Sequence, residues 1–284
     1  MKLVTYLENG VERVGVLTAD GAGIRALDFA DMQAAVEAGL EAVRDAAKTA
    51  RAPVPLAETR LLAPIPRPRQ DVICLGINYL DHAREAEQYD REAFGKEKPI
   101  PIYFSKRVTR AVDPEGDIDS HPGLVQRLDY ESELAVILGR TAKNVPADKA
   151  GEYIFGYTVL NDVTARELQT AHKQWYFGKG LDGFTPMGPC ILTADEVSFP
   201  PELDISCRVN GEIRQSSNTR MLMTTIPEMI EELSSGMTLL AGTIIATGTP
   251  SGVCMGMEDP VFLRSGDVVE CEIGGIGVLR NTVK

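Results

Sequence analysis

The sequence predicts an α+β protein, mostly β, in which a small N-terminal α+β domain precedes a larger strand-rich unit. Three observations carry this expectation. Short β-type runs between turn signals fill most of the chain beyond residue 70, while helical patterns are few. Their order is not the steady alternation of a βαβ protein. Pro53, Pro55, Pro64, Pro66 and Pro68 break regular structure between the two parts. A chain of 284 residues exceeds the usual size of one core, so residues 1–65 are assigned to the small domain and 66–284 to the second, with the boundary near residue 65.

In chain order, residues 3–7 and 14–17 read as a hairpin around Glu8-Asn9-Gly10, because Asn-Gly accepts the positive φ angles of a tight turn. A third strand is expected at 24–27. Residues 31–50, rich in Ala, Glu and Leu with one glycine at Gly39, read as a helix or two. Beyond the prolines, strands are expected at 72–75, 132–138, 154–160, 205–209, 243–247 and 268–273, with Asn210-Gly211 as a second hairpin turn. Thr225-Ile226-Pro227-Glu228 is a capping box with proline in the first turn, and Gly236 follows the last apolar residues of that helix.

Composition is that of an ordinary globular protein, with 44% apolar and 25% charged residues. The 41 acidic against 29 basic residues give a formal net charge of −12, which argues against a nucleic-acid partner, since backbone binding needs a basic surface. No run reaches the length of a membrane span, and the N-terminus lacks the apolar stretch of a signal peptide, so no membrane partner is expected. The five cysteines, Cys74, Cys190, Cys207, Cys254 and Cys271, are odd in number and never spaced Cys-x-x-Cys. They point to a reducing, cytoplasmic setting and away from a disulfide frame or structural zinc.

The chemistry-bearing residues begin at Asp129-Tyr130-Glu131-Ser132-Glu133, which opens a strand. Alternation puts Glu131 and Glu133 on one face, about 7 Å apart at Cα, where they can converge on a cation; alone, such a pair is more often a solvated strand face. At Asn161-Asp162 an apolar run gives way to a helical pattern. A helix starting at Asp162 carries Arg166 and Gln169 at i+4 and i+7 on the carboxylate's face, and the plain alternative is an N-cap with a surface ion pair to Arg166. Glu131, Glu133 and Asp162, with no His or Cys ligand cluster beside them, make a hard oxygen site suited to Mg²⁺ or Mn²⁺, with Ca²⁺ as the third candidate. Open positions on such an ion fit the two oxygens of a 2-oxo carboxylate.

His82 and Glu85 lie at helical spacing, so the carboxylate can orient the imidazole as in a general-base dyad; the plain alternative is a solvated helix. His121 and His172 have no comparable partner and read as surface or structural. Lys179 sits among aromatics and glycines, where a partly desolvated ammonium can bind a carboxylate or a developing enolate. The Gly-rich turn at Thr247-Gly248-Thr249-Pro250-Ser251-Gly252 offers N–H groups and hydroxyls to an anion. Ordinary turn chemistry explains both stretches equally well. Gly274-Gly275-Ile276-Gly277 does not fit a phosphate loop, and no nucleotide cofactor is assigned.

In this order the motifs resemble the fumarylacetoacetate hydrolase family, within its branch of acylpyruvases and 2-hydroxyhepta-2,4-diene-1,7-dioate isomerases, over residues 70–284. The resemblance implies a mixed β-sandwich roll, a homodimer, and one Mg²⁺ or Mn²⁺. By position, Glu131, Glu133 and Asp162 match metal carboxylates, and His82 with Glu85 match the dyad of a mobile lid. Lys179, Arg166, Gln169, Gly248 and Thr249 match substrate-contacting positions. Two departures stand out: Phe177 where many relatives carry Arg, removing a guanidinium able to grip a second carboxylate, and Cys254 where many carry Gly. The charged stretch 87–101, which contains Phe94, is longer than in many relatives.

The leading expectation is hydrolysis of a carbon–carbon bond in an acylpyruvate or similar 1,3-dioxo acid, with His82 activating water and Lys179 stabilising the pyruvate enolate that leaves. Isomerisation of unsaturated 2-oxo diacids and decarboxylation, as of oxaloacetate, use the same constellation and stand as the alternative. A catalytically silent scaffold is the reading from another class, against which the completeness of the reactive set argues. Sedimentation at micromolar concentration checks the homodimer: a dimeric species is expected, and a purely monomeric one contradicts the resemblance on this point.

Overall fold

The computed structural model describes residues 1–82 and 100–284. Strands β1 (Lys2–Glu8), β2 (Val11–Leu17) and β3 (Gly23–Leu27) form a meander. Its first turn places Asn9 and Gly10 at φ of 51° and 78°, the conformation that Asn-Gly was expected to supply. Helix α1 (Met32–Lys48) is capped by Asp31, whose side chain accepts from the Ala34 N–H, and Gly39 at φ 84° breaks it into two segments. The short strands β4 (Val54–Pro55) and β5 (Arg60–Leu62) follow.

The rest of the chain supplies β6 (Val72–Gly76), β7 (Ile102–Lys106), β8 (Asp117–Ile118), β9 (Leu128–Asp129), β10 (Ser132–Leu138) and β11 (Ile154–Asn161). Next come β12 (Thr164–Ala165), the short helices α2 (Arg166–Ala171) and α3 (Tyr176–Lys179), and β13 (Met187–Thr193). The chain ends with β14 (Asp204–Val209), β15 (Glu212–Asn218), α4 (Ile226–Gly236), β16 (Ile244–Ala246), β17 (Val268–Ile273) and β18 (Gly277–Val283). Thr225 and Glu228 close the capping box of α4, and Asn210-Gly211 turns β14 into β15 with both residues at positive φ.

The large sheet runs β4-β3-β2-β1-β13-β11-β10-β16-β6-β7, with β5 beside β1, and a smaller sheet runs β15-β14-β17-β18-β8. Both are mixed, because β16 pairs parallel with β6 and β18 with β8 while their other pairs are antiparallel. Pairing of β1 with β13 carries the N-terminal strands into the same sheet as the central ones. Strand β10 is buried along its whole length and alternates between two cores. Leu134, Val136 and Leu138 belong to the same core as Ile205, Cys207 and Leu279 of the small sheet, whereas Ala135 and Ile137 belong to a second core that includes Met32 and Val36 of α1. A strand covered on both faces reads as a continuous apolar run, as Leu134–Leu138 does. The fold is mostly β with few helices, as the sequence predicts.

One local expectation is corrected. No helix begins at Asp162: the residue follows β11, its N–H donates to Glu131 O, and Thr164 pairs with Asp129 before α2 starts at Arg166. Sheet pairing takes the backbone groups that an earlier helical turn would need. Arg166 and Gln169 still meet, one turn apart within α2.

Gly178 in α3 lets that helix press on α2. A Cβ there lies 2.5 Å from Gln169 N and 2.9 Å from Ala165 O, both backbone atoms that cannot move aside alone. Gly178→Ala is expected to lower the urea midpoint by an amount worth about 1–3 kcal/mol through overpacking; an unchanged midpoint means that α3 is not anchored on α2.

Candidate active site

A cleft of about 570 Å³ opens beside the ends of β10 and β11, with Glu131, Arg166, Gln169 and Lys179 in its lining. His82 reaches it from the segment after β6, which Asn78 ties down: its amide donates to Thr224 O and Thr247 O and accepts from Thr224 N–H. Phe104 and Trp175 form an aromatic wall, edge to face at 5.3 Å, and a Cβ at Gly76 would collide with the Trp175 ring. Glycine at position 76 therefore makes room for the indole.

Glu131, Glu133 and Asp162 each offer a carboxylate oxygen within 4.8 Å of the others, and all three are buried. Glu131 and Glu133 share a face by strand alternation. Asp162 is brought to them because β10 and β11 pair antiparallel, Ser132 opposite Asn161, and because Asn161 Oδ1 accepts from the Glu131 N–H at 3.0 Å. Lys179 Nζ lies 2.8 Å from Glu131 Oε2 and 2.7 Å from Asp162 Oδ2, bridging two of the three carboxylates. Lys106 Nζ approaches Asp162 Oδ1 at 2.7 Å but points its hydrogens at Val163 O and Lys179 O, so this oxygen makes an ion pair without an aligned hydrogen bond. Arg166 binds Asp129 Oδ2 through Nε and Glu131 Oε1 through Nη1, each at 2.8 Å.

Four carboxyl groups thus face three basic side chains, all nine-tenths or more out of water. Burial alone would raise Glu131, yet Lys179 and Arg166 outweigh it and hold this carboxyl below its ordinary value. Asp129 is likewise held low against burial, by Arg166 and by the Met255 and Cys254 N–H groups. Burial also opposes the charge of Lys179, but Asp162 and Glu131 win and raise the ammonium. Glu133 goes the other way, well above its ordinary value, through burial and repulsion from Asp162 and Glu131. Its one described donor is the Gly248 N–H at 2.9 Å, and Glu133 Oε1 has no partner.

The orphaned Glu133 Oε1, the unaligned Asp162 Oδ1 and the all-oxygen donor set fit a divalent cation. Oxygens separated by up to 4.8 Å can share a coordination sphere with ligand distances of about 2.0–2.6 Å. Hard donors of this kind suit Mg²⁺, Mn²⁺ or Ca²⁺.

A model of the fumarylacetoacetate (FAA) hydrolase C-terminal family matches residues 71–284. The chain belongs to the fumarylacetoacetate hydrolase family. Among its relatives is a protein named oxaloacetate tautomerase YisK, from Bacillus subtilis, 46% identical over 233 residues that span 80% of this chain and 74% of that one. A fumarylacetoacetate hydrolase from Exiguobacterium antarcticum shares the fold with a TM-score of 0.85 at 39% identity, covering 100% of this chain and 99% of the other. A 5-carboxymethyl-2-hydroxymuconate delta-isomerase from Mycobacterium smegmatis gives 0.79 at 33% identity, with 100% and 99% covered.

Within this family member, the cleft brings together His82, Glu131, Arg166, Gln169, Lys179 and Thr249. Glu85 and most of the charged stretch, residues 87–99, lie outside the described residues. Gly248 and Thr249 are committed differently from the expectation: the Gly248 N–H holds Glu133, and the Thr249 hydroxyl donates to Ser132 O and accepts from Gln215. Gly248, at φ 97°, has Asn78 Cβ 2.8 Å from where its own Cβ would be, so only glycine fits. Phe177 is exposed and meets His172 edge to face; His172 and Lys173 line the cleft instead, so the cation on that wall is Lys173. Cys254 is buried, and its N–H donates to Asp129.

Asp129 and Lys106 were not singled out from the sequence. Asp129 adjoins Glu131 in an acidic strand opening, a signal that was available; Lys106 ends an apolar strand far from Asp162 in sequence and carried none.

Glu133 ties metal affinity to pH. Its folded-state pKa is raised, so the metal-free fold gains stability below the ordinary value of about 4.3 and loses it as pH rises through the folded value. A divalent cation held by Glu133 would have to displace that proton, so its affinity would rise with pH over the same window. Melting of chelator-treated protein is expected to fall with rising pH, melting with Mg²⁺ is expected to fall less, and Glu133→Gln is expected to remove the difference. Equal pH profiles with and without Mg²⁺ in the unaltered protein refute this linkage.

Proposed function

We propose that this protein is a divalent-metal-dependent tautomerase or isomerase of small 2-oxo diacids, oxaloacetate being the substrate that the names of several relatives carry. The observation that carries the reading is the buried carboxylate set Glu131, Glu133 and Asp162, which meets the cleft through Glu131 beside Lys179 and Arg166. Two relatives, named as an oxaloacetate tautomerase and a 5-carboxymethyl-2-hydroxymuconate delta-isomerase, suggest the substrate class. They support this reading better than hydrolysis of a carbon–carbon bond.

Glu131, Glu133 and Asp162 would hold Mg²⁺ or Mn²⁺, which supplies Lewis-acid stabilisation of charge on the 2-oxo oxygen. Ketonisation of an enol moves a proton from the C2 hydroxyl to C3, while the O–H electron pair becomes the C2=O bond and the C2=C3 pair forms C3–H. The C2 hydroxyl gives its proton to solvent water in the cleft, and Lys179, held as an ammonium by Asp162 and Glu131 despite burial, donates a hydrogen bond to the resulting oxyanion. Arg166 and Gln169 orient the carboxylate beside it. Contact from Thr249 falls to its backbone N–H, because its hydroxyl is already bonded on both sides. His82, with Glu85 as the partner that sequence spacing gives it, carries the proton at C3. Lys173 meets the far carboxylate of a diacid in place of a guanidinium at position 177.

On this reading residues 66–284 form the catalytic unit of a homodimer, and residues 1–65 a small N-terminal domain. The cysteines are all buried and unbridged, which fits a cytoplasmic setting.

Ultraviolet decay of freshly dissolved enol-oxaloacetate is expected to be accelerated and to lose the acceleration on chelation. His82→Ala is expected to slow it by about 10²–10⁴-fold with Mg²⁺ affinity retained. Lys173→Ala is expected to raise KM for diacids and leave monocarboxylate 2-oxo acids alone. If acylpyruvate cleavage is metal-dependent and enol decay is not accelerated, hydrolysis is the correct reading.

A further inference from the structure

Asp129 belongs to none of the roles above, yet it is fully buried and heavily engaged. Oδ1 accepts from the N–H groups of Tyr130 at 2.9 Å and Cys254 at 2.8 Å; Oδ2 accepts from Arg166 Nε at 2.8 Å and Met255 N–H at 3.0 Å. Arg166 and the 253–256 segment are separate walls of the cleft, and this carboxylate is bonded to both. With Nε on Asp129 and Nη1 shared by Glu131 and Gln169, the guanidinium is fixed in plane and its buried Nη2 is left without a partner.

We propose that Asp129 is a positioning residue that locks Arg166 to the Cys254–Met255 wall, so that the unpartnered Nη2 is presented to the anionic end of a 2-oxo acid. The inference rests on the cleft being the site for such anions. A guanidinium held at both Nε and Nη1 has one orientation; freed of Asp129, it keeps only the Glu131 and Gln169 contacts, both on Nη1, and can rotate about that single anchor.

The sign of the effect separates this role from a purely electrostatic one. Removing a buried negative charge should by itself tighten binding of an anion, whereas loss of positioning weakens it. A role in folding alone lowers the melting temperature and leaves affinity in the folded protein unchanged.

The probe is oxalate, a planar dianion with the two chelating oxygens of a 2-oxo carboxylate, titrated calorimetrically into Mg²⁺-loaded protein. Asp129→Asn is expected to weaken oxalate by about tenfold or more, the usual worth of a hydrogen bond to a charged group, and to leave Mg²⁺ affinity unchanged. Equal or tighter oxalate binding in the variant overturns the proposal. Hydrogen exchange in the unaltered protein tests the lock without any substitution: the Arg166 Nε–H and the Cys254 and Met255 amides are expected to exchange slowly, and rapid exchange overturns it. Slow exchange that Asp129→Asn accelerates, in a protein that binds no oxalate, supports the lock and refutes the proposed function alone.

Discussion

Charge taken out of water must be matched, and this requirement organises the site. Asp129, Glu131, Glu133, Asp162, Lys106, Arg166 and Lys179 are all buried together. An isolated ion there would cost several kcal/mol, so each group survives only through partners at hydrogen-bonding distance. The fold provides them by topology: pairing of β10 with β11 sets Glu131 beside Asn161 and Asp162, and pairing of β9 with β12 sets Asp129 beside the start of α2. Lys106 comes from the end of β7 and Lys179 from the end of α3, so groups far apart in sequence neutralise one another.

With four carboxyls and three cations, the set balances when one carboxyl is protonated, and Glu133 is the member with no cation in contact. A dication bound in place of that proton would reverse the imbalance and leave net positive charge in an apolar-walled cleft. An anion is then the natural ligand. The aromatic wall of Phe104 and Trp175 keeps the dielectric low beside Lys179, whose Nζ lies 5.3 Å from the Phe104 ring centre, and this strengthens every interaction with an oxyanion.

Much of this was legible in the chain because local rules governed it. Asn9-Gly10, Asn210-Gly211 and the Thr225–Glu228 box dictate their own backbone, and alternation alone places Glu131 with Glu133. Expectations weakened where distant pairing decides. Strands β9 and β12 are two residues long, too short for a periodicity, yet they delay the helix from Asp162 to Arg166. Lys106 ends an apolar run, and only the residues that follow β11, with the Asp162 carboxylate and the Val163 carbonyl, explain an ammonium there. His172, read as surface or structural because no partner stands near it in sequence, is exposed and also lines the cleft, from the turn between α2 and α3.

The same electrostatics bears on which reaction the site supports. Hydrolysis of a carbon–carbon bond requires a base that activates water and a second oxyanion site at the distal carbonyl. Keto–enol exchange requires stabilisation at one oxygen and a proton carrier at the adjacent carbon. The buried cations converge on one locus: Lys179 and Arg166 both contact Glu131, and Lys106 and Lys179 both contact Asp162. Lys173 stands apart on the cleft wall, exposed to solvent. A solvated ammonium is a weak oxyanion stabiliser and an adequate partner for a carboxylate already charged in the ground state. Among the described residues, one strongly stabilised oxygen with a second, milder anion contact is the pattern that enolisation of a diacid uses, and this favours the proposed tautomerase or isomerase reading over acyl transfer.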